Sequence, residues 1–177
     1  MTTIEKVILV DEYDNALGEM EKLEAHQKGL LHRAFSVFIF NSKNQLLLQQ
    51  RNPLKYHSGG LWTNTCCGHP RPNEDIDEAA ERRLEEEMGF NCHINKEFTF
   101  LYKANFENGL TEHELDHVFI GYYEAEPEPN PDEVSNWKYV DFEQVLADIK
   151  QNPQKYTFWF KYALERYKEN FLMSIND

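Results

Sequence analysis

The chain has 177 residues, of which 41% are apolar and 14% aromatic, so it is long enough for one domain with a substantial core. Its net charge of −13 argues against nucleic acid as a partner, because no basic surface is available to release counterions from a polyanion. Three cysteines, two of them adjacent, do not indicate a disulfide framework, and we find neither a signal peptide nor a membrane-spanning apolar run. We therefore expect a single cytoplasmic domain over residues 1–177. We expect it to be a monomer without a membrane partner, since no exposed apolar stripe demands a dimer.

Apolar runs and turn residues along the chain predict a sheet with helices. Residues 33–40 and 45–50 are two apolar runs joined by a short polar turn, so they predict a hairpin of two buried strands. Residues 53–72 carry three glycines and three prolines and predict a loop. The other predicted strands are residues 7–10, 97–106, 112–125 and 136–140, and the predicted helices are residues 75–88, 142–149 and 157–171. Strands mixed with segregated helices favour an α+β fold or an α/β/α sandwich.

The helix predicted over residues 75–88 has apolar residues at four-residue steps and ends at Gly89, in a C-cap position. Counted from Gly68 to the run RRLEEEMGF, this region resembles the Nudix box, whose carboxylates can hold a hard divalent cation that binds diphosphate. Three consecutive glutamates are more often a solvated helix face, but the register with the two glycines favours the functional interpretation. Arg83 stands where that box has a glutamate, and it shares a helix face with Glu87. The arginine removes one potential ligand and adds a phosphate partner, which argues against metal-activated water.

Histidines and glutamates elsewhere in the chain form a possible metal-binding set. His26, His32 and His69 are too far apart in sequence to form a local zinc finger. Glu112 and Glu114 are two residues apart in a predicted strand, so their side chains share one face. Together these residues would give a five-ligand oxygen and nitrogen site suited to zinc, manganese or magnesium. Each histidine taken alone is more often a surface or structural residue, so spacing leaves the assignment open.

Cys67 lies two residues before His69 and directly ahead of the acidic helix. A thiol is a good nucleophile and a flexible acid or base, with an ordinary pKa of about 8.5. A buried inert thiol is the usual role of an isolated cysteine, but this position favours a functional one. Cys66 should point elsewhere if the segment is extended, and Cys92 is expected in the core. Asp116 falls on the glutamate face of its strand, where solvent or a hydrogen bond is expected rather than a metal.

Motifs spread over most of the chain make a more specific pattern than these residues alone. They are GEMEKLEAH and LLHRAFSVFIFN near the start, QQRNPLKYHSGGLWTNTCCGHP and AAERRLEEEMGF in the middle, and FLYKA, TEHELDH and YTFWFKYAL further on. With these motifs the chain resembles the type I isopentenyl diphosphate isomerases, in a short form without an N-terminal extension. The resemblance implies a Nudix-like α/β/α sandwich in which helices flank a mixed sheet.

The resemblance also implies roles for individual residues. The implied catalytic residues are Cys67, Glu114 and Tyr102. The implied metal ligands are His26, His32, His69, Glu112 and Glu114 for one Mn²⁺, Mg²⁺ or Zn²⁺ ion, and Glu87 for a diphosphate-bound Mg²⁺. The implied substrate-binding residues are Lys22, Arg51, Lys55 and Arg83 at the phosphates, and Trp159 at the hydrocarbon.

The implied reaction interconverts isopentenyl diphosphate and dimethylallyl diphosphate in isoprenoid biosynthesis. It proceeds through protonation to a tertiary carbocation and loss of another proton, which requires two acid/base groups on opposite faces of the substrate. Two alternatives stay open. A Nudix hydrolase acting on a nucleoside diphosphate derivative would share the scaffold, but it needs a glutamate at position 83 and leaves Cys67 without a role. A non-catalytic metal-binding module would use the same cluster structurally, and its Cys67→Ala variant would keep every function.

Overall fold

The computed structural model of the chain describes residues 3–175, with side chains described through residue 169. The strands in this range are β1 (Lys6–Val10), β2 (Ala16–Glu21), β3 (His32–Phe40), β4 (Gln45–Arg51), β5 (Trp62–Thr63), β6 (Cys66–Gly68), β7 (Ile94–Asn105), β8 (Thr111–Tyr122) and β9 (Val134–Asp141). The helices are α1 (Lys22–Lys28), α2 (Ile76–Met88), α3 (Phe142–Gln151) and α4 (Phe158–Ile175), with a 3-10 turn at Pro153–Lys155.

Strand β3 connects most of the sheet. It pairs antiparallel with β1, β4 and β6, and parallel with β8. Strand β7 pairs with β8, β2 with β1, and both β5 and β9 with β4, all antiparallel. The parallel pairing of β3 with β8 makes the sheet mixed.

Alternate residues of β3 pack against helices on opposite faces of the sheet. Phe38 and Phe40 belong to a core that includes side chains of α3 and α4, whereas Val37 and Ile39 belong to a core that includes side chains of α2. This alternation is the period-two pattern of a strand buried on both faces. Helices cover both faces of a mixed sheet, so the predicted α/β/α sandwich is confirmed. Over residues 3–175, none of the helices combines the length and apolar character needed to cross a membrane.

Helix α2 begins and ends where its sequence predicts. The Asp75 side chain accepts a hydrogen bond from the Asp77 amide at the N-terminus. Gly89 has a φ of +74° and donates its N–H to Glu85 O at the C-terminus. A Cβ at Gly89 would lie 2.1 Å from Glu128 O, so both the backbone conformation and the close neighbour require glycine.

Strands β2, β5 and β6 and helix α1 were not predicted from the sequence. The residues of β2 are largely exposed, so this strand has no apolar alternation, and α1 is only seven residues long. Strands β5 and β6 have two and three residues and lie inside the predicted loop. The predicted hairpin of β3 and β4 pairs at Phe40 and Leu46. Beyond that point β3 pairs with β6 and β8, and β4 with β5 and β9.

Candidate active site

Three adjacent strands bring predicted site residues together through their register. His32 on β3 pairs with Glu114 on β8, which pairs in turn with Tyr102 on β7. Directly opposed residues of neighbouring strands project to the same face, so these three side chains meet. Strand β6 places Cys67 opposite Ser36 of β3. All five side chains line one pocket or border it on the sheet face where α4 begins.

Gly68 allows α2 to reach the same pocket from the other face of the sheet. A Cβ at this position would lie 2.8 Å from the Phe35 ring and 3.1 Å from Arg83 Cγ. Its absence lets Arg83 approach the edge of β6, and Glu87 follows one helical turn later. The helix thereby contributes a guanidinium and a carboxylate to the pocket.

Three imidazoles and one carboxylate form a compact group that could hold a metal ion. One ligand atom from each of His26, His32, His69 and Glu114 lies within 4.8 Å of the others. Glu114 Oε1 is 3.0 Å from His69 Nε2 and 3.4 Å from His32 Nε2. The imidazole centroids of His26 and His32 are 5.0 Å apart, and those of His32 and His69 are 5.1 Å apart.

The hydrogen bonds of His26 and His32 suit metal ligation. Their Nδ1 atoms donate to the carbonyls of Lys22 at 2.6 Å and Leu30 at 2.9 Å, so in the neutral ring Nε2 carries no proton and can offer its lone pair to a metal. Both Nε2 atoms are buried, and neither has a hydrogen-bond partner among residues 3–175. Burial also lowers the pKa of His26, and lowers that of His69 to about 4, which favours the neutral form a ligand needs. This donor set fits a divalent ion that accepts nitrogen and oxygen ligands.

Glu112 lies beside this group and contacts Tyr102. The Tyr102 hydroxyl is 2.8 Å from Glu112 Oε2 and 2.8 Å from Glu114 Oε2, so one phenolic proton lies between two carboxyl groups. Burial and the charge of Glu114 raise the pKa of Glu112 to about 8. Burial also opposes ionisation of Glu114, but His32 and His69 stabilise its charge and hold its pKa well below the ordinary value. Two carboxyl groups on one strand face therefore differ in their affinity for a proton.

The Cys67 thiol makes polar contacts on this sheet face. It donates to Asn64 Oδ1 at 3.2 Å and accepts a hydrogen bond from Trp159 Nε1 at 3.0 Å. Ser36 Oγ lies 3.8 Å from the sulfur. Burial raises the pKa of Cys67, and nearby carboxylates raise it further, so the neutral thiol persists at physiological pH.

Asp116 was expected to be either solvated or hydrogen-bonded. It is buried, and it is hydrogen-bonded. Ser36 Oγ donates to Asp116 Oδ2 at 2.8 Å, and the same hydroxyl faces Cys67. Burial and the charge of Glu114 raise the pKa of Asp116 well above its ordinary value. Cys66 is buried on the opposite face, in the core that includes α2, as the strand alternation predicted.

The four predicted phosphate-binding cations line the same pocket. Lys22 pairs with Glu5 at 3.2 Å, Lys55 pairs with Glu133, Arg83 pairs with Glu86 and Glu87, and the Arg51 guanidinium lies 5.0 Å from the centroid of the Trp159 ring. Glu87 also accepts a hydrogen bond from Gln49 Nε2 at 2.8 Å. The cations therefore have partners within the protein, and three of them are paired with carboxylates with which a bound anion would compete.

The aromatic residues divide between the pocket and the core. Trp159, Tyr102 and Phe35 line the pocket and are buried. The Trp62 ring packs against the core, with Lys138 Nζ 4.2 Å from its centroid, and it does not line the pocket.

His57 lines the pocket, although it was not predicted to be a site residue. Its Nε2 lies 3.4 Å from Glu112 Oε1, and its ring is perpendicular to the Trp159 ring at a centroid distance of 5.8 Å. Burial and the charge of Arg51 lower the pKa of His57 to about 3. Its position between Lys55 and a pair of glycines, inside one of the quoted motifs, is the sequence signal that could have identified it.

The fold and the carboxylate-bearing helix are those of a NUDIX domain, and the NUDIX domain family model matches residues 30–160. A crystal structure from Deinococcus radiodurans superimposes with a TM-score of 0.70 at 22% identity, covering 84% of this chain and 90% of that chain. The MutT protein from Methanosarcina mazei superimposes with a TM-score of 0.63 at 22% identity, covering 78% of this chain and 94% of that chain. At these identities the likeness concerns the fold alone.

Sequence relatives define the family more narrowly. The chain is 54% identical over 157 residues to isopentenyl-diphosphate Delta-isomerase 2 of Photorhabdus laumondii, covering 89% of each chain. It is 52% identical over 162 residues to isopentenyl-diphosphate Delta-isomerase 2 of Aromatoleum aromaticum, covering 92% of this chain and 86% of that protein. The chain belongs to the isopentenyl-diphosphate Delta-isomerase family of NUDIX domain enzymes. The family that the motifs indicated is thus confirmed.

Proposed function

We propose that this enzyme interconverts isopentenyl diphosphate and dimethylallyl diphosphate, the activity that the names of its relatives indicate for them. The observation that carries the proposal is a single pocket lined by cationic side chains, a neutral thiol and a carboxyl–phenol pair. A diphosphate anchor, a proton donor and a proton acceptor are the groups that the migration of a double bond in this substrate requires.

The diphosphate binds to the cations that line the pocket. Arg51 and Arg83 offer planar donors for bidentate contacts with phosphate oxygens, whereas Lys22 and Lys55 act as point charges. Glu87, one turn after Arg83 on α2, would be the protein ligand of a magnesium ion that accompanies the diphosphate. The ring of Trp159 lies beside Arg51, which supports placing the hydrocarbon end next to this aromatic surface.

Cys67 and the Glu114–Tyr102 pair are the two acid/base groups. One of them adds a proton to the terminal alkene carbon, which leaves a tertiary carbocation, and the other takes a proton from the carbon on the far side. Cys67 starts as a neutral thiol because burial raises its pKa. Tyr102 can pass a proton to the substrate side, because its hydroxyl is hydrogen-bonded to both Glu112 and Glu114.

Two further groups of residues support this chemistry, one aromatic and one that can bind a metal ion. Trp159 and Tyr102 exclude water and present aromatic faces that stabilise a cation by about 0.5–2 kcal/mol each. His26, His32, His69 and Glu114, with Glu112 beside them, would hold one Mn²⁺, Mg²⁺ or Zn²⁺ ion. Such an ion, when bound, makes neighbouring groups more acidic.

A nucleotide hydrolase is less well supported than an isomerase. Arg83 occupies the position where the Nudix box has a glutamate, and it pairs with Glu87 and Glu86 rather than adding a third carboxylate. The hydrolase also leaves the partly buried thiol of Cys67 without a role.

Proton NMR of the reduced protein with isopentenyl diphosphate and a divalent ion in heavy water tests the proposal. We expect dimethylallyl diphosphate to form with deuterium incorporated at carbon, and a folded Cys67→Ala variant to lose several orders of magnitude in rate. Glu114→Gln should lose activity together with metal affinity. Absence of conversion by folded, metal-loaded protein would reject the reaction, and phosphate release from nucleotides would favour the hydrolase.

A further inference from the structure

His57 is a largely enclosed pocket residue to which the proposed mechanism gives no role. Its side chain is 10% exposed, and its Nδ1 has no hydrogen-bond partner in the described part of the chain. Three aromatic rings surround the imidazole: Tyr56 at 4.4 Å, Phe106 at 5.9 Å and Trp159 at 5.8 Å between centroids. Packing therefore restricts the ring to the orientation in which its other nitrogen faces the pocket.

That other nitrogen, His57 Nε2, faces the carboxyl group of Glu112. The distance from Nε2 to Glu112 Oε1 is 3.4 Å, longer than a well-formed N–H···O hydrogen bond but short enough for direct electrostatic contact. Glu112 Oε2 accepts a hydrogen bond from Tyr102 at 2.8 Å. Tyr102 thus donates to one oxygen of Glu112 and His57 Nε2 lies next to the other, and each oxygen keeps a further lone pair. A metal-binding carboxylate has no proton to give, so between His57 Nε2 and Glu112 Oε1 only His57 can donate when Glu112 is a ligand.

We propose that His57 is a positioning residue that fixes the carboxylate plane of Glu112 beside the metal-binding group of His26, His32, His69 and Glu114. The inference rests on the metal site of the proposed function and adds a residue that acts through Glu112. Without the His57 donor, Oε1 loses its partner and the carboxylate turns away from the group. Loss of a hydrogen-bond partner of a metal ligand typically weakens metal binding about 10- to 100-fold.

Co²⁺ binding without substrate tests this role, because it needs no catalysis. His57→Phe keeps a ring among Tyr56, Phe106 and Trp159 but removes the donor, whereas His57→Gln keeps an N–H close to the position of Nε2. The Co²⁺ affinity is measured by competition with a chelator, and the visible absorption of bound Co²⁺ reports its coordination. His93→Gln, which removes an exposed imidazole, is the matched control.

We expect His57→Phe to bind Co²⁺ about 10- to 100-fold more weakly with an altered spectrum, and His57→Gln and His93→Gln to resemble the wild type. His57→Leu also removes the donor and takes the place of His57→Phe if that variant does not fold. Unchanged Co²⁺ binding in His57→Phe, or equal losses in the Phe and Gln variants, would overturn the inference.

Two outcomes separate this inference from the proposed function. A wild-type protein that binds no Co²⁺ would overturn both the metal site and the role of His57. A protein that shows the His57 effect but does not isomerise isopentenyl diphosphate would reject the reaction and leave the positioning role standing.

Discussion

The indole nitrogen of Trp159 donates a hydrogen bond to the sulfur of Cys67 at 3.0 Å. This contact joins the first turn of α4 to β6 and holds a thiol whose pKa is raised by burial. The guanidinium of Arg51 lies 5.0 Å from the centroid of the same indole. One side chain therefore links the proposed acid/base end of the pocket to its cationic end.

A Trp159→Phe substitution removes the N–H donor but keeps an aromatic ring. A neutral hydrogen bond contributes about 0.5–1.5 kcal/mol, so we expect kcat for isomerisation to fall about 2- to 10-fold with a smaller change in KM. Steady-state kinetics measure both constants. Trp62→Phe is the matched control, because the Trp62 ring packs outside the pocket and its loss should leave kcat unchanged. Equal losses in the two variants would assign the effect to packing rather than to the donor.

Elements of the fold were predicted correctly where the residues of the element itself determine its structure. The bounds of helix α2 were predicted to within one residue. Its apolar spacing and the glycine at its C-terminus, Gly89, are both visible in a short continuous stretch of sequence. Strands β5 and β6 were missed because two or three residues carry no periodic signal, and only pairing with β4 and β3 makes them strands. Tertiary pairing, not propensity, decides such short elements.

For the candidate site, the sequence predicts which residues take part but not the surroundings that the fold gives them. The motifs supplied the identities of Cys67, Glu112 and Glu114, but not the different surroundings of the two glutamates, which come from contacts with distant histidines. His57 escaped selection because its burial depends on Phe106 and Trp159, which are far away in sequence. The assigned roles of these residues stay predictions that the experiments test.

Arg83 is proposed to bind the diphosphate, in place of the glutamate that the Nudix box has at this position. A hydrogen bond to a charged group contributes about 1.5–3 kcal/mol, so Arg83→Gln should raise the KM for isopentenyl diphosphate about 10- to 150-fold and lower kcat less. Arg82→Gln is the control, because its guanidinium pairs with Glu74 and does not line the pocket. An unchanged KM in Arg83→Gln, measured in the isomerase assay, would remove this arginine from the diphosphate site.

Glu5 is paired at 3.2 Å with Lys22, one of the cations proposed to bind the diphosphate, so we expect the two anions to compete. An exposed ion pair contributes about 0.2–1 kcal/mol, so Glu5→Gln should tighten the binding of pyrophosphate with magnesium by about 1.5- to 5-fold. Isothermal titration calorimetry measures this affinity. Glu19→Gln removes a comparable surface pair with Lys6, outside the pocket, and should leave pyrophosphate binding unchanged. Weaker binding in Glu5→Gln would instead make Glu5 part of the ion-binding machinery.

Burial of His57 makes the stability of the metal-free protein depend on pH. Its pKa is lowered to about 3 by burial and by Arg51, whereas an unfolded chain has a histidine pKa of about 6.5. As the pH falls below about 6.5, His57 becomes protonated in the unfolded state but stays neutral in the folded state. The free energy of unfolding therefore decreases. This single imidazole should contribute a loss of about 2 kcal/mol between pH 7 and pH 5.

The contribution of His57 is isolated by comparing variants, because Glu112 and Asp116 have raised pKa values and act in the opposite direction as the pH falls. Urea unfolding in the presence of a chelator at pH 7, 6 and 5 should show that His57→Gln loses about 2 kcal/mol less than the wild type over this range. His93→Gln removes an exposed imidazole and should follow the wild type at every pH. Parallel losses in the wild type and His57→Gln would mean that His57 takes up its proton in the folded protein, and that its environment is less dry than its burial implies.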